Sequence, residues 1–342
     1  MEFKTQFAAL SGNAIYLEDD IATIEDYLSS QHWLKHKEQV IRLEKPGEGN
    51  MNFVRRIITN QRTFILKQAR PWVEKYPQIA APLERISVEM QFYRVIQQDT
   101  FLTKYTPQLL YFDTTNYALA LEDLGESADY TFLYEKDNAL INKDLESLIQ
   151  FLNHLHHQSF STEEKKHYPS NQVLKTLNHE HIFHFPYLLE NGFDLNQIQP
   201  GLQETALRYK HDQVLREIIL DLGEIYLGSS GTLLHGDYYP GSWLRANDRV
   251  YVIDPEFSYF GRAEFDLGVF LAHLKMAQLP ESTIQKVKSE YQYSANFDED
   301  LSDAFSGVEM LRRIIGLAQL PLDLNLKEKQ ELLEEARALI LG

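Results

Sequence analysis

Two acidic centres flank a short hydrophobic hairpin in the second half of this 342-residue chain, and they constrain its fold more than any other feature. The first centre is Asp237, in the sequence Leu-His-Gly-Asp. The second is Asp254 with Glu256, directly after the apolar run 250–253, which predicts a buried strand. Turn-forming residues at 246–249 lie between the two segments. The sequence therefore predicts a hairpin with a carboxylate centre at each end.

Phosphoryl transfer from a metal–nucleotide complex requires carboxylates arranged in this way. Asp237 would orient the accepting hydroxyl and take its proton, while Asp254 and Glu256 hold the magnesium ion that neutralises charge on the phosphates. Each residue alone is a weak signal, because aspartate is common in turns and the residue before proline often ends a strand. The ordered combination, with a further Asp-Leu-Gly at 266–268, favours the catalytic interpretation.

Length and composition leave room for one large domain or two lobes, with hydrophobic and charged contents of 44% and 24% that are ordinary for a globular protein. No stretch approaches the roughly eighteen uninterrupted apolar residues of a membrane span, and the first residues lack the order of a secretion signal, so a cytoplasmic protein is expected. A formal charge of −17 argues against nucleic acid or an anionic membrane as a partner. The absence of cysteine excludes disulfides, thiolate metal sites and a cysteine nucleophile.

The first 121 residues predict a small antiparallel sheet with one main helix. Strands are predicted at 40–43, 53–58, 63–67, 108–112 and 117–121, and helices at 17–30 and 82–98. The loop between the first two strands contains Gly47, Gly49 and Asn50. Backbone N–H groups of such a loop can line up on phosphate oxygens, and an ordinary hairpin loop is the alternative.

Lys67 ends the third predicted strand, from which an ammonium group can reach phosphates. Its alternative role is that of a strand-end lysine whose charge extends to solvent. A phosphate-binding lysine needs an acidic partner on the helix, and Glu84 and Glu89 are the candidates. We favour Glu89, because an acid among apolar neighbours needs a cation more than an acid at an exposed helix start does.

Beyond 122–125 the pattern becomes nearly all helical. Helices are predicted at 139–157, 170–182, 202–228, 278–293, 301–318 and 326–341. The chain therefore predicts an α+β fold with a small sheet-rich lobe at 1–121, a hinge at 122–125 and a larger, mostly helical lobe at 126–342. An architecture of this kind has a cleft where the lobes join.

Four short motifs carry a resemblance to known proteins. They are Gly-Glu-Gly-Asn-Met-Asn at 47–52, Leu-Lys-Gln-Ala at 66–69, His-Gly-Asp at 235–237 and Asp-Pro-Glu-Phe at 254–257. Together they resemble the aminoglycoside-phosphotransferase and choline-kinase branch of the protein-kinase-like fold, and within it the methylthioribose kinase family. The resemblance implies a bilobal kinase-like fold and an ATP- and Mg²⁺-dependent phosphotransferase. It also implies a small hydroxyl-bearing metabolite, such as the sugar 5-methylthioribose, as the acceptor.

The resemblance also implies roles for residues outside the acidic centres. Glu122, Asp123 and Leu124 look like the hinge whose backbone receives adenine. Arg312 and Arg313 lie in a helix similar to one that carries paired arginines near the substrate in the family. In an otherwise apolar helix these cations need either an anionic or sugar ligand or an internal ion pair, and both are open.

The acceptor is left open by one departure from the family pattern. Tyr238-Tyr239-Pro240 stands where the family usually has Leu-His-Thr, directly behind Asp237 and therefore beside the acceptor. With Trp243 and Tyr259, these tyrosines could form an aromatic box for a quaternary amine. Choline, ethanolamine, homoserine and aminoglycosides are thus alternative acceptors, and a catalytically silent nucleotide-binding protein is a further alternative. A homodimer is also left open.

Overall fold

The computed structural model describes residues 2–12, 14–47, 49 and 51–342. These residues fall into two compact units. The first contains the chain up to Glu126 together with Ile253–Phe257, and the second contains Ser127–Val252 and Ser258–Gly342.

The segment 253–257 belongs to the first unit, whereas the sequence predicts that all of 126–342 lies in the second lobe. The physical reason is charge pairing within the first unit. Asp254 pairs with Lys67, and Glu256 pairs with Arg85. The hinge at 122–125 stays a prediction.

The first unit is built on an antiparallel sheet. Its strands are β1 (Val40–Glu44), β2 (Phe53–Thr59), β3 (Thr63–Gln68), β4 (Trp72–Val73), β5 (Tyr76–Ala80), β6 (Leu109–Asp113) and β7 (Ala118–Glu122). Five of them form one sheet in the order β1-β2-β3-β7-β6, and β4 pairs with β5 in a separate ribbon. The five predicted strands are confirmed, each within one residue at either end. The short ribbon was not predicted.

The described part of the first unit also contains three α-helices. They are α1 (Glu2–Ser11), α2 (Ile21–Ser30) and α3 (Arg85–Ile96). The helix predicted at 17–30 begins later, because the side chain of Asp20 accepts a hydrogen bond from the N–H of Thr23 and caps it. Alternate residues of β2 and β3 point to one face, where Ile57 and Phe64 pack with Ile24 of α2. The helix predicted at 82–98 is confirmed as α3, whereas α1 was not predicted.

The second unit is mostly helical, as predicted. Its helices are α4 (Asn142–His156), α5 (Thr162–His167), α6 (Gln172–His179), α7 (Leu202–Lys210), α8 (Gln213–Leu227), α9 (Ala263–Met276), α10 (Glu281–Glu290), α11 (Glu299–Ile315) and α12 (Leu326–Leu341). The helix predicted at 202–228 is two helices, because Asp212 interrupts the run and caps α8 through the N–H of Leu215. The helix α9 was not predicted.

Short strands in the second unit frame the predicted acidic hairpin. They are β8 (Ser127–Asp129), β9 (Thr232–Leu234), β10 (Trp243–Ala246), β11 (Arg249–Val252) and β12 (Tyr259–Gly261). The strands β10 and β11 form the predicted antiparallel hairpin. Its turn residues Asn247 and Asp248 have φ values of 49° and 56°, which suit the tight turn between twisted strands. Across the described ranges, no helix has the length and apolar character that a membrane crossing needs.

Candidate active site

Lys67 on β3 holds its ammonium group between two carboxylates of the first unit. Its Nζ donates a hydrogen bond to Oε1 of Glu89 on α3 at 2.7 Å and also contacts Oδ1 of Asp254. Glu89 is fully buried, and Lys67 is nearly so. The ion pair predicted between Lys67 and Glu89 is therefore present.

Burial and charge act in opposite directions on Lys67. Burial disfavours a charged ammonium group, but the carboxylates of Asp254 and Glu89 outweigh it and hold the pKa of Lys67 well above that of a free lysine. The side chain therefore stays protonated at physiological pH. A fixed cation of this kind is able to bind phosphate oxygens as a point charge.

Asp254 has a backbone conformation that favours glycine, with a φ of 61°. It also precedes Pro255, and a residue before proline normally prefers an extended conformation. Strain of this kind costs about 1 to 3 kcal/mol and persists where the surrounding structure requires it, often in ligand sites. The result is a carboxylate that contacts Lys67 while its side chain remains 41% exposed.

The buried guanidinium group of Arg85, at the start of α3, joins three segments of the first unit. Its Nε lies 3.1 Å from Oε2 of Glu256 and 3.1 Å from Oδ1 of Asn52. Its Nη2 donates to the carbonyl oxygen of Met51 at 2.8 Å. Arg85 thus ties the end of the 47–52 loop to the Asp-Pro-Glu segment. Arg85 has no predicted role from the sequence, because most arginines near a helix start are exposed.

The sequence predicts a magnesium site at Asp254 and Glu256, and carboxylate oxygens are the ligands that this ion prefers. The Glu256 side chain is 6% exposed and bonded to Arg85, so the Asp254 carboxylate is the more accessible of the two. Burial raises the pKa of Glu256 to about 7, against the effect of Arg85. Within the described part of the chain, no three histidine, aspartate or glutamate side chains are arranged to hold a metal. The pair fits magnesium because this ion takes most of its ligands from phosphates and water.

The predicted phosphate loop lies between β1 and β2. Gly47 and Gly49 are described, whereas Asn50 lies outside the described residues. A side chain added at Gly47 would meet no described atom within 4 Å, so packing does not require a glycine there. The predicted reason for this glycine, close approach of a phosphate, stays a prediction.

The segment predicted to receive adenine follows β7. The N–H of Glu122 donates to the carbonyl oxygen of Gln108 at 2.8 Å, and the Asp123 carboxylate pairs with Arg56 at 3.0 Å. Leu124 follows in the same segment. These contacts fix the course of the backbone, and its role in adenine binding stays a prediction.

In the second unit, Asp237 follows a turn that is held by Asp266 on α9. Gly236 has a φ of 85°, a conformation that a side chain would strain. Asp266 is fully buried and accepts hydrogen bonds from the N–H groups of His235 at 2.7 Å and Gly236 at 2.9 Å. Nε2 of His156 lies 3.2 Å from the same carboxylate. The aspartate of the Asp-Leu-Gly motif therefore fixes the loop that carries Asp237.

The carboxylate of Asp237 pairs with both arginines of α11. Its Oδ1 lies 3.3 Å from Nη2 of Arg313 and 3.8 Å from Nη2 of Arg312. Burial raises the pKa of Asp237 above that of a free aspartate, and Arg313 and Arg312 counteract part of this shift. A raised pKa makes the carboxylate a better proton acceptor.

Glu309 binds the two arginines from the opposite side. Its Oε2 accepts a hydrogen bond from Nε of Arg312 at 2.5 Å, and its Oε1 accepts one from Nε of Arg313 at 2.8 Å. The internal ion pair that the sequence left open is therefore present. It leaves the Nη2 atom of each guanidinium group directed at Asp237.

The two tyrosines behind Asp237 have different surroundings. Tyr238 is fully buried, where it donates to the carbonyl oxygen of Leu148 at 2.9 Å and stacks on Phe151. Its predicted contact with a substrate finds no support in this interior position. The ring of Tyr239 lies against the guanidinium group of Arg313, 4.9 Å from its carbon atom.

The other two members of the suggested aromatic box are interior residues. Trp243 is fully buried and Tyr259 is 3% exposed. The ring of Tyr259 already has the ammonium group of Lys175 at 4.1 Å. Three of the four aromatic residues suggested for a quaternary amine, Tyr238, Trp243 and Tyr259, are therefore buried and packed in the interior.

A family model described as "Phosphotransferase enzyme family" matches residues 42–302, which is well over half of the chain. The chain belongs to the phosphotransferase enzyme family. It is accordingly a small-molecule phosphotransferase, in agreement with the chemistry that the acidic centres predict.

Several curated methylthioribose kinases are similar to this phosphotransferase. The enzyme of Bacillus velezensis is 25% identical over 331 residues, which cover 80% of this chain and 77% of that one. The enzyme of Bacillus pumilus is 25% identical over 352 residues, covering 86% and 84%. Methylthioribose kinase 1 of Oryza sativa subsp. japonica is 25% identical over 253 residues, covering 69% and 56%.

Solved structures share the fold of this phosphotransferase at low identity. Choline kinase LicA from Streptococcus pneumoniae has a TM-score of 0.53 at 12% identity, covering 94% of this chain and 98% of its own. An ADP-bound aminoglycoside phosphotransferase has a TM-score of 0.51 at 16% identity, covering 93% and 99%. These similarities confirm the predicted kinase-like α+β fold.

Proposed function

We propose that this phosphotransferase transfers the γ-phosphate of ATP to a hydroxyl of a neutral sugar such as 5-methylthioribose. Family membership supports the reaction class, and the similarity to enzymes named methylthioribose kinase supports the acceptor. The observation that carries the choice of a neutral acceptor is the arginine pair bound to Asp237.

The nucleotide is bound by residues of the first unit. Lys67 binds phosphate oxygens, and Glu89 keeps its ammonium group in place through their 2.7 Å hydrogen bond. Backbone N–H groups of the 47–52 loop bind the phosphates as well, and Arg85 fixes the end of that loop through Met51 and Asn52. Most of the rate enhancement comes from positioning and charge neutralisation.

Asp254 and Glu256 are the residues that hold magnesium, which neutralises charge on the phosphates when it is bound. Asp254 is suited to this role because its carboxylate is accessible while its backbone is fixed in a strained conformation. Glu256 is oriented by Arg85 and Asn52.

Asp237 orients the acceptor hydroxyl and takes its proton as transfer completes. Both arginines contact Oδ1 of Asp237, which leaves Oδ2 for the hydroxyl. Its raised pKa favours proton acceptance. The turn fixed by Asp266 gives the carboxylate a defined direction.

The charges around Asp237 disfavour cationic acceptors. Arg312 and Arg313 carry two positive charges that Asp237 and Glu309 balance, so a neutral sugar leaves the balance unchanged. Choline or an aminoglycoside would bring a further positive charge, and both carboxylates of this balanced cluster are already paired, so the added charge would lack a partner there. The buried positions of Tyr238 and Trp243 also remove the aromatic box that would have favoured choline.

The test is an acceptor panel read by ADP release, with 5-methylthioribose, choline, ethanolamine, homoserine and an aminoglycoside. We expect kcat/KM for 5-methylthioribose to exceed that for choline by at least about a hundredfold, because the polar groups of the site have to be satisfied by the acceptor. Faster turnover of choline or of the aminoglycoside would reject the neutral acceptor. A thermal-shift titration with Mg-ATP, run in parallel, tests whether the protein is a catalytically silent nucleotide-binding protein. The absence of both stabilisation by Mg-ATP and ADP release with any acceptor would reject the proposed kinase activity.

A further inference from the structure

A line of buried polar side chains continues behind the arginine pair of the second unit. The hydroxyl oxygen of Tyr134 lies 2.6 Å from Nδ1 of His273, and Nε2 of His273 lies 2.9 Å from Oε1 of Glu309. Tyr134 is 3% exposed, His273 0% and Glu309 1%. These residues are therefore shielded from water and act on one another through direct hydrogen bonds.

The proton positions in this line follow from the charges. Although burial raises the pKa of Glu309, Arg312 and Arg313 outweigh it and hold that pKa well below the usual glutamate value, so Glu309 is an acceptor. Nε2 of His273 must then carry the ring proton and donate a hydrogen bond to Glu309. Burial lowers the pKa of His273 to about 4, so its neutral ring accepts a hydrogen bond from the Tyr134 hydroxyl group at Nδ1.

Helix geometry explains how one carboxylate reaches both arginines. Glu309, Arg312 and Arg313 are three and four residues apart on α11, a spacing that places side chains on the same helix face. Glu309 takes the Nε edge of each guanidinium group, at 2.5 Å and 2.8 Å. The Nη2 atoms are consequently turned towards Asp237.

A close approach of two helices brings His273 to Glu309. Gly268 on α9 lies against the backbone of α11, where an added Cβ would stand 2.7 Å from the carbonyl oxygen of Ser302 and 3.0 Å from the nitrogen of Ser306. Further along both helices, His273 meets Glu309. The hydrogen bond between these two side chains therefore depends on the spacing of α9 and α11.

We propose that Tyr134, His273 and Glu309 are positioning residues that hold the arginine pair against Asp237. This inference rests on the proposed function, in which Asp237 orients the acceptor hydroxyl. Tyr134 holds the ring of His273 through Nδ1, and His273 fixes one oxygen of Glu309. Glu309 then fixes the direction of both guanidinium groups, so that their Nη2 atoms meet Oδ1 of Asp237. The role of the line is orientation, and none of its three members contacts the acceptor.

Two variants test the line at different strengths. Glu309→Gln removes the charge that orients the arginines, and we expect kcat to fall about a hundredfold, as misplacement of a reacting group by about 1 Å can do. The KM for ATP should stay near the wild-type value. Tyr134→Phe removes one hydrogen bond at the far end of the line and should lower kcat by about three- to tenfold.

Tyr209→Phe is the matched control for Tyr134→Phe. Tyr209 is also a buried tyrosine of the second unit, and its hydroxyl donates to Glu334 at 2.5 Å, on a different helix pair. We expect this control to lose stability without a change in kcat. If Tyr134→Phe and Tyr209→Phe had the same kcat, the proposed line would be a structural contact alone and the inference would be wrong.

A double variant distinguishes a loss of orientation from a general loss of stability. In an Arg313→Gln protein the line has lost its main target, so adding Tyr134→Phe should change kcat by less than about twofold. A full three- to tenfold effect in that background would contradict action through Arg313.

A crystal structure of the Glu309→Gln variant tests the positions of the arginines without a measurement of turnover. We expect Nη2 of Arg313 to leave hydrogen-bonding distance of Asp237 Oδ1, and arginines that keep their wild-type positions would overturn the inference.

If the wild-type protein transferred phosphate to no acceptor, the proposed function would fail while this structural comparison still decided the positioning role. Normal turnover by the variants would reject the positioning role and leave the proposed function standing.

Discussion

Nε of Arg85 lies 3.1 Å from Oε2 of Glu256, and neither side chain is more than 6% exposed. The same guanidinium group reaches Asn52 and the backbone of Met51. One buried cation therefore links the predicted metal-binding segment with the end of the predicted phosphate loop, although Asn52 and Glu256 are 204 residues apart along the chain.

Arg85→Lys should lower the free energy of unfolding by roughly 1 to 3 kcal/mol, because the charge is kept but buried acceptor oxygens that lose their donor stay unsatisfied. Lysine has a single ammonium group and cannot reproduce the planar set of bonds to Glu256, Asn52 and Met51. We also expect weaker binding of Mg-ATP, since the loop end loses its anchor. Chemical denaturation and a nucleotide titration would measure both effects.

Arg42→Lys is the control for this substitution. Arg42 pairs with Glu44 at 2.7 Å, but its side chain is 65% exposed, so the change should cost less than about 1 kcal/mol. Equal and small losses in the two variants would show that Arg85 is not an anchor.

Asp237→Asn should lower kcat by about two to four orders of magnitude, because the amide keeps the shape of the side chain and cannot accept the hydroxyl proton. Affinity for Mg-ATP should change little. Asp248→Asn, in the exposed turn between β10 and β11, makes the same chemical change outside the predicted site and should leave kcat unaltered. Near-normal turnover by Asp237→Asn would dismiss its assignment as the proton acceptor.

Asp254→Gly should separate stability from function. Glycine adopts a φ of 61° without strain, so the variant should be about 1 kcal/mol more stable than Asp254→Ala. Both variants lose the carboxylate, so magnesium-dependent binding of ATP should be weakened in both. A calorimetric titration of ATP with and without magnesium would measure this, and unchanged Mg-ATP affinity would remove Asp254 from the metal site.

His273 should make the protein less stable as the pH falls. Burial lowers its pKa to about 4, compared with about 6.5 in an unfolded chain, so between these values the unfolded state binds more protons and stability rises with pH. Between about pH 7.5 and about pH 5 this difference amounts to roughly 2 kcal/mol. The groups that face the ring are Tyr134, Tyr239, Glu309 and the two arginines of α11.

The check on this pH dependence compares unfolding free energies of the wild type and of His273→Gln at the two pH values. Glutamine does not titrate, so the variant should lose about 2 kcal/mol less than the wild type on acidification. Parallel losses in both proteins would mean that His273 is not buried in its neutral form.

Local patterns predicted the parts of the fold that have one buried face. Residues such as Ile57 of β2 and Phe64 of β3 are buried between more exposed neighbours, and the predicted runs 53–58 and 63–67 end within a residue of these strands. The helix α9 was missed because it is buried on nearly every side and lacks an amphipathic pattern. His273, which α9 carries, was missed for the same reason.

Sequence patterns predicted the site residues that are charged, lie among apolar neighbours and belong to or accompany a short motif. Lys67 with Glu89 is such a pair, and Arg312 with Arg313 is a rare feature in an apolar helix. Arg85 could not be found in this way, because its partners come from segments that only the folded chain brings together. The same long-range pairing explains why 253–257 belongs to the first unit.

Gly268 has no functional group, yet the spacing that it permits between α9 and α11 is what lets a ring on one helix reach an acid on the other. A single methyl group at this position would push against the backbone of the neighbouring helix. The orientation of the arginines at Asp237 would then depend on the missing Cβ of Gly268. A search confined to polar side chains would overlook this glycine.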